Sequence, residues 1–277
     1  MRHDSWSVDC VGSFAHVSLW QLGCRIDFST EHLGRYQGVI GNDAVIVARE
    51  LCAAGVKTRC YLLDPTDADV DAVSSVLRSN AVVAIGGHQG QLSHSLCFED
   101  EAGVRNWIFS RLPQPSTELG EMDGDMIYVD YYPEFREYFR QELPRLRNCR
   151  TRLIVNLSAV FGIEQIPLLP IEPFVVQASV PRNLTPREAR EFAMEVLSAT
   201  HARRAFVTMG SHGAVLAASG ETWYSSAVVQ ADGRILGAGA VFSSQVILGV
   251  SDGLDRHELV ESAVSQTALR LQSSRME

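Results

Sequence analysis

The stretch RILGAGAVFSSQ, residues 234–245, places Gly237, Ala238 and Gly239 directly before an apolar run with helical spacing. The run predicts a helix, and the glycines are then expected at its N-terminus. Backbone N–H groups at a helix N-terminus have no acceptor within the helix, and the helix dipole favours an anion there. Gly-Ala-Gly in this position indicates either an anion site or close packing of the helix against a sheet.

The composition is typical of a globular α/β protein. Of the 277 residues, 46% are hydrophobic and 21% are charged, which is enough apolar surface for one large domain. The formal net charge of −9 disfavours nucleic acid and anionic membranes, since both require clustered Lys and Arg. We therefore expect a small-molecule ligand or a protein partner, and neither nucleic acid nor a membrane.

The sequence also predicts a cytoplasmic location. No apolar stretch reaches the length of a membrane span, and the opening MRHDSWSVDC lacks the apolar core that a secretory signal needs. The six cysteines are scattered, without the spacing of a zinc site or a disulfide framework.

Short apolar runs alternate with helical patterns along most of the chain. VDCVGSF (8–14) is typical of a buried strand, residues 41–56 have helical spacing that ends at Gly55, and KTRCYLL (57–63) begins another strand. Further strands are predicted near Val82 and at 126–130, 152–157 and 173–178. This alternation predicts a Rossmann-like α/β fold, with a largely parallel sheet between helices and ligands at the carboxyl ends of the strands.

A smaller β-structure is predicted beside this sheet. The segment 92–112 has two runs of strand-forming residues around an Asp-Glu-Ala-Gly turn, as in an antiparallel hairpin. We expect residues 15–38 and 91–112 to form a small β lid that is inserted in a single domain spanning residues 1–277.

Taken with its neighbours, the glycine stretch resembles the D-T-x-G-A-G-D signature of the ribokinase-like (PfkB) carbohydrate kinases. VDCVGSF is similar to the first strand of that family, and GNDAVIVARELCAAG to its G-G-x-x-x-N-x-A segment. EDEAGVRNWIF is similar to its lid hairpin, and FVTMGSHGAVLA (206–217) to its T-x-G-x-x-G turn. These similarities follow the family order along nearly the whole chain. The resemblance implies a sugar- or nucleoside-like substrate, with ATP and Mg²⁺ as cofactors.

The resemblance also implies functional residues by position. It places an anion hole at Gly237, Ala238 and Gly239. It places nucleotide contacts at Gly210, Ser211 and Gly213, and a substrate pocket at Ser13, Gly41, Asn42, Ile46, Arg105 and Asn156. Many members of the family dimerise through the lid, which implies a homodimer here.

The sequence departs from the family pattern at the positions that carry the reaction. The last Asp of the signature accepts the substrate proton in that family, and it falls on Ala240. Asp232 is a candidate for a relocated base, a sugar-contacting Asn falls on Ile46, and the family N-x-x-E is represented only by Gln177 and Val180. Loss of a positioned base typically lowers a rate by about 10²–10⁴.

Three functions are compatible with this pattern. The first is a ribokinase-like small-molecule-binding protein that keeps the anion site and has impaired or no phosphotransfer, a pseudokinase. The second is an active ATP-dependent kinase of an unusual substrate that uses a relocated base. The third is a different enzyme that uses the anion hole for another oxyanion.

Other polar residues have both a structural and a functional interpretation. His88 and His94 lack a third ligand and helical spacing, so no metal site is predicted, and solvated histidines account for them. Asp130, Tyr131 and Tyr132 follow a predicted strand at the ligand-binding edge, where they form either a pocket wall or packing contacts.

Overall fold

The computed structural model describes residues 6–22, 24–25, 34–77, 81–101, 105–148, 151–180, 184–227 and 236–273. Within these ranges, thirteen strands form two sheets, and six α-helices accompany them. The strands are β1 (Ser7–Gly12), β2 (Ala15–Leu22), β3 (Gly34–Gly41), β4 (Lys57–Leu63), β5 (Val82–Ile85), β6 (His94–Glu99), β7 (Arg105–Phe109), β8 (Met126–Asp130), β9 (Arg152–Ala159), β10 (Val175–Ser179), β11 (Arg204–Thr208), β12 (Ala214–Ala218) and β13 (Glu221–Ser225). The helices are α1 (Asp43–Ala53), α2 (Asp67–Leu77), α3 (Arg136–Glu142), α4 (Pro186–Thr200), α5 (Ala238–Ser251) and α6 (Arg256–Ser273).

The larger sheet has nine strands in the order β13-β12-β11-β10-β9-β8-β1-β4-β5. Neighbouring strands from β11 to β5 in this order run parallel, and β12 pairs antiparallel with both β11 and β13. All five residues of β8 are buried, as expected for a strand covered on both faces. The predicted α/β fold with a largely parallel sheet is therefore confirmed.

Two hydrophobic layers cover the two faces of this sheet. On one face, Phe206 of β11 packs edge-on against Phe242 of α5, with ring centroids 5.6 Å apart. On the other face, Phe139 of α3 stacks on Tyr131, with ring centroids 5.7 Å apart. Because successive side chains of a strand point to opposite faces, each strand contributes to both layers. Among the helices of the described residues, none is long and apolar enough to cross a membrane.

The smaller sheet has four strands in the order β3-β2-β6-β7. β6 and β7 pair antiparallel, which confirms the predicted hairpin, although its turn at 102–104 lies outside the described residues. One face of this sheet buries Val17, Leu19 and Cys97 against Leu236, directly before the glycine stretch. The division of the chain into one domain with a lid stays a prediction.

A buried ion pair joins two neighbouring strands of the larger sheet. Asp9 of β1 is completely buried, and Arg59 lies opposite it on β4. Arg59 donates from Nε to Asp9 Oδ1 and from Nη2 to Asp9 Oδ2, both at 2.7 Å. The two parallel hydrogen bonds offset the cost of burying the carboxylate.

Arg59→Met is expected to lower the free energy of unfolding by roughly 3–5 kcal/mol, because it leaves the Asp9 carboxylate buried without its partner. Urea unfolding measures the change. Arg187→Met is the matched control, since the Arg187–Glu191 pair on α4 is exposed and such pairs contribute about 0–1 kcal/mol. Equal losses in the two variants would contradict the structural role of the Asp9–Arg59 pair.

Candidate functional site

The N-terminus of α5 lies at the carboxyl edge of the larger sheet, directly after Gly237. Gly237 has a φ of 87°, and a Cβ at this position would lie 2.8 Å from Cδ1 of Ile46. Val241 N–H donates to Gly237 O at 3.0 Å, so the N–H groups of residues 238–240 precede the first helical hydrogen bond. The predicted helix start at the Gly-Ala-Gly stretch is confirmed.

Gln177 of β10 supports this first turn from below. Its Nε2 donates to Gly239 O at 3.1 Å, and its Oε1 accepts a hydrogen bond of 2.6 Å from Ser243 Oγ. Both side chains are buried. The free N–H groups of α5 are therefore held in a fixed position. This favours anion binding, because the helix start loses little conformational entropy when the anion binds.

Ala240 occupies the position at which the family resemblance has its base. Ala240 is completely buried in the first turn of α5, and its methyl group cannot accept a proton. Asp232 lies in the range 228–235, outside the described residues.

Two carboxyl groups lie near each other on the opposite side of the glycine stretch. Asp43 is the first residue of α1, and its Oδ2 accepts hydrogen bonds from Tyr132 Oη at 2.5 Å and Asn156 Nδ2 at 2.8 Å. Asp130 ends β8 in complete burial, and its Oδ2 accepts from the N–H of Ala44 at 2.8 Å. Asp130 Oδ1 has no hydrogen-bond partner in the described residues.

Burial controls the titration of this carboxyl pair. It raises the pKa of Asp130 well above the usual range, and the negative charge of Asp43 raises it further. Burial also raises the pKa of Asp43, whereas hydrogen bonds from Tyr132 and Asn156 and the charge of Arg105 lower it. Asp130 is therefore the member that retains a proton more readily.

The raised pKa of Asp130 predicts that stability falls with increasing pH. Between the ordinary Asp pKa and the raised value, the folded protein binds more protons than the unfolded chain, so the free energy of unfolding decreases as pH rises. Each unit by which the folded state raises the pKa changes the free energy of unfolding by about 1.4 kcal/mol across this pH range. Asp130→Asn cannot ionise and is expected to reduce this slope when urea unfolding is followed from pH 4 to pH 8.

The control for this pH series is Asp67→Asn, which removes an exposed carboxylate from the first turn of α2. It should keep the pH dependence of the wild type. An unchanged slope in Asp130→Asn would show that Asp130 ionises normally in the folded protein.

Three of the residues predicted for the substrate pocket, Ser13, Gly41 and Asn42, lie close to the start of α1. Asn42 precedes α1 and donates from Nδ2 to Ser13 Oγ, and both residues line a cleft between the two sheets. Asn42 has a φ of 70° and a ψ of 139°, which favours glycine and costs a side-chain-bearing residue about 1–3 kcal/mol. This position is the one where the family resemblance has its second glycine. Gly41 approaches β2 so closely that a Cβ would lie 2.6 Å from Ala15 O.

The other predicted pocket residues take different places. Ile46 is buried beside Gly237, and Asn156 binds Asp43. Arg105 lies on β7 of the smaller sheet, where its Nε donates to the buried Glu99 at 2.6 Å. The positive charge of Arg105 also lowers the pKa of Asp43, against the larger effect of burial.

The turn predicted to contact a nucleotide lies at the same edge of the sheet. Residues Gly210–His212 form one 3₁₀ turn after β11, and a Cβ at Gly213 would lie 2.0 Å from Ser225 O. Thr208 Oγ1 and Ser179 Oγ are hydrogen-bonded at 2.9 Å, which joins this edge to β10. The turn thus follows β11, the strand next to β10, whose Gln177 supports the first turn of α5.

The two histidines considered as metal ligands have separate partners. His94 is hydrogen-bonded to Ser18 Oγ at 2.9 Å, and His88 contacts Arg111. In the part of the chain that the structure describes, no group of three His, Cys, Asp or Glu side chains is arranged to hold a metal ion.

Asp43 is the residue of this site that the sequence did not reveal. Asp130 and Tyr132 follow a strand that predicts the ligand edge, but Asp43 lies in a helical turn far away in sequence. The sequence offers one signal for Asp43: it is an acidic residue at the first position of a predicted helix, and helices of this fold begin at the ligand-binding edge of the sheet.

Comparisons with known proteins agree with this geometry. No family model and no curated protein matches the sequence. Among solved structures, nucleoside kinase from Burkholderia thailandensis in complex with inosine matches with a TM-score of 0.69 and 18% identity, over 96% of this chain and 90% of that chain. Phosphofructokinase-2 from Escherichia coli in complex with fructose-6-phosphate matches with a TM-score of 0.66 and 17% identity, over 98% of this chain and 95% of that chain.

Ribokinase from Thermotoga maritima matches with a TM-score of 0.65 and 12% identity, over 96% of this chain and 93% of that chain. The chain therefore has the ribokinase-like fold over nearly its whole length. The resemblance drawn from the sequence is confirmed at the level of the fold.

Proposed function

We propose that this chain is a ribokinase-fold protein that binds a small molecule at the carboxyl edge of its larger sheet. An anionic group lies on the N–H groups of residues 238–240, and phosphoryl transfer by a base on α5 is lost. The observation that carries the proposal is the first turn of α5 itself. Gln177 holds its free N–H groups in place, while Ala240 occupies the position where the family resemblance has its base.

The N-terminus of α5 fits a phosphate group. Its N–H groups precede the helical hydrogen bonds, and the glycine at 237 lets the chain turn without a side chain in the way. A bound nucleoside triphosphate with Mg²⁺ would supply a transferable phosphoryl group. We propose the turn of Gly210, Ser211 and Gly213 as its second contact, because the Ser179–Thr208 hydrogen bond joins that turn to the strand beneath α5.

Isothermal titration with ATP and Mg²⁺ is expected to show binding, and an ADP-release assay over a sugar and nucleoside panel is expected to show no turnover. Gly237→Ala should weaken binding at least about tenfold, because a left-handed φ and contact with Ile46 both oppose the new side chain. Gly220→Ala is the matched control, since Gly220 has a φ of 81° with no atom near its Cβ position.

ADP release that disappears in Asp232→Asn would instead establish an active kinase with a relocated base. Turnover of a phosphorylated substrate without ATP would establish the third function considered above. Absence of any binding would contradict the anion site.

We also propose that two copies of the chain associate through the smaller sheet. Trp20, Tyr36 and Ile108 lie on the face of that sheet opposite Val17 and Leu19, with exposed fractions of 37%, 56% and 51%. Such an apolar face on an open sheet favours association. The cytoplasmic location stays a prediction.

Light scattering is expected to give twice the mass of the chain at micromolar concentration. Replacing both Trp20 and Ile108 by Glu should produce the monomer, because four buried charges oppose the interface. Leu168→Glu changes an apolar residue that is more exposed, at 81%, and lies between β9 and β10 of the larger sheet, so it should leave the dimer intact. A monomeric wild type would contradict the proposal.

A further inference from the structure

Asp43 lies at the start of α1, beside the carboxyl end of β8. It is half-buried as the first residue of α1. Ile46, one helical turn later, lies beside Gly237. The Asp43 carboxylate is therefore close to the glycine stretch, and an apolar side chain lies between the two.

The protein satisfies only one oxygen of Asp43. Tyr132 and Asn156 both donate to Oδ2, and Asn156 is itself held by a hydrogen bond of 3.0 Å from Ser158 N–H to its Oδ1. Within the described residues, Oδ1 of Asp43 has no hydrogen-bond donor. A carboxylate oriented in this way has one acceptor available for a ligand.

A second unsatisfied carboxyl oxygen lies behind Asp43. Asp130 is completely buried, with its Oδ2 on the N–H of Ala44 and its Oδ1 without a partner in the described structure. Because burial favours the protonated form of Asp130, the negative charge of this pair lies mainly on Asp43. Asp43, with one oxygen lacking a donor in the described residues, therefore marks a position that a cation or a strong hydrogen-bond donor would stabilise.

Two arginines of the smaller sheet and the segment after it form ion pairs with carboxylates other than Asp43. Arg105 binds the buried Glu99 at 2.6 Å, and Arg111 binds Asp64 at 2.5 Å. Each of these arginines is thus already paired with a carboxylate, and Asp43 forms no ion pair of its own among the described residues. The free N–H groups of α5, by contrast, favour an anion.

We propose that Asp43 and the first turn of α5 together bind a zwitterionic small molecule, with a protonated amine on Oδ1 of Asp43 and a phosphate or carboxylate on the N–H groups of α5. The inference rests on the proposed function, because it uses the same anion site. Ile46 lies between the two polar ends and contacts the carbon skeleton of the ligand. Amino-sugar phosphates and aminoalkyl phosphates have this chemistry.

Calorimetric titration with glucosamine 6-phosphate and glucose 6-phosphate tests the inference, because these probes differ in one amine and share the phosphate. We expect the amine-bearing probe to bind at least about tenfold more tightly to the wild type. In Asp43→Asn, the two affinities should become equal, with that of glucose 6-phosphate unchanged. Asp67→Asn, which removes an exposed Asp from the first turn of α2, should keep the preference.

Circular dichroism and thermal melting establish that Asp43→Asn is folded. If it is not, Asp43→Ser is measured in its place, because Ser is favoured at the start of a helix. Equal affinity of the wild type for the two probes overturns the inference but leaves the anion site standing. A preference that survives removal of the Asp43 carboxylate overturns the assignment to that residue.

Inorganic phosphate, titrated in parallel, separates the two proposals. Binding of inorganic phosphate without binding of either sugar phosphate overturns the zwitterion inference alone. If none of the three probes and no ATP binds, both the inference and the proposed function are overturned.

Discussion

The hydrogen bond from Ala44 N–H to the Asp130 carboxylate connects the central sheet to the helix that forms one wall of the candidate site. Asp130 ends β8, and Ala44 is the second residue of α1, so this contact of 2.8 Å positions the helix start over the carboxyl edge. Gly12 permits it, since a Cβ there would lie 2.5 Å from Asp130 Oδ2. The negative end of the side chain and the positive end of the helix attract each other.

This contact explains why a carboxyl group is kept in complete burial. Removing Asp130 from water favours its neutral form, but the N–H of Ala44 would lack an acceptor without it. The same contact places Asp43 beside Tyr132 and Asn156, which fix its orientation. The site thus contains an ionisable pair whose pKa values depend first on burial and then on the charges and hydrogen bonds of neighbouring residues.

A second support acts on the other wall. Gln177 and Ser243 hold the first turn of α5 by hydrogen bonds to Gly239 and to each other. These groups are neutral, so the positive potential of the helix N-terminus is not cancelled from below. The start of α5 therefore favours an anion, whereas Asp43 at the start of α1 is a carboxylate, and the apolar Ile46 of α1 lies beside Gly237.

Much of the fold could be predicted from local patterns. Strand β8 and the hairpin of β6 and β7 follow from their hydrophobic patterns, and the helix start after Gly237 follows from glycine before an apolar run. The candidate site was predicted only in part. Asn42 and Asn156 were expected near a ligand, but the sequence does not reveal that Asn156 and Asp43, far apart in the chain, are hydrogen-bonded.

The sequence by itself determined the α/β class, the helix that begins at Gly-Ala-Gly and the absence of a carboxylate at Ala240, because these depend on residue type and short-range spacing. Only the tertiary structure decided that Asp43, Asp130 and Asn156 form one cluster. The carboxyl ends of the parallel strands and the start of α1 lie at one edge of the sheet, although long crossover connections separate them in the sequence. Contacts between residues so far apart produce no periodic pattern from which they could be predicted.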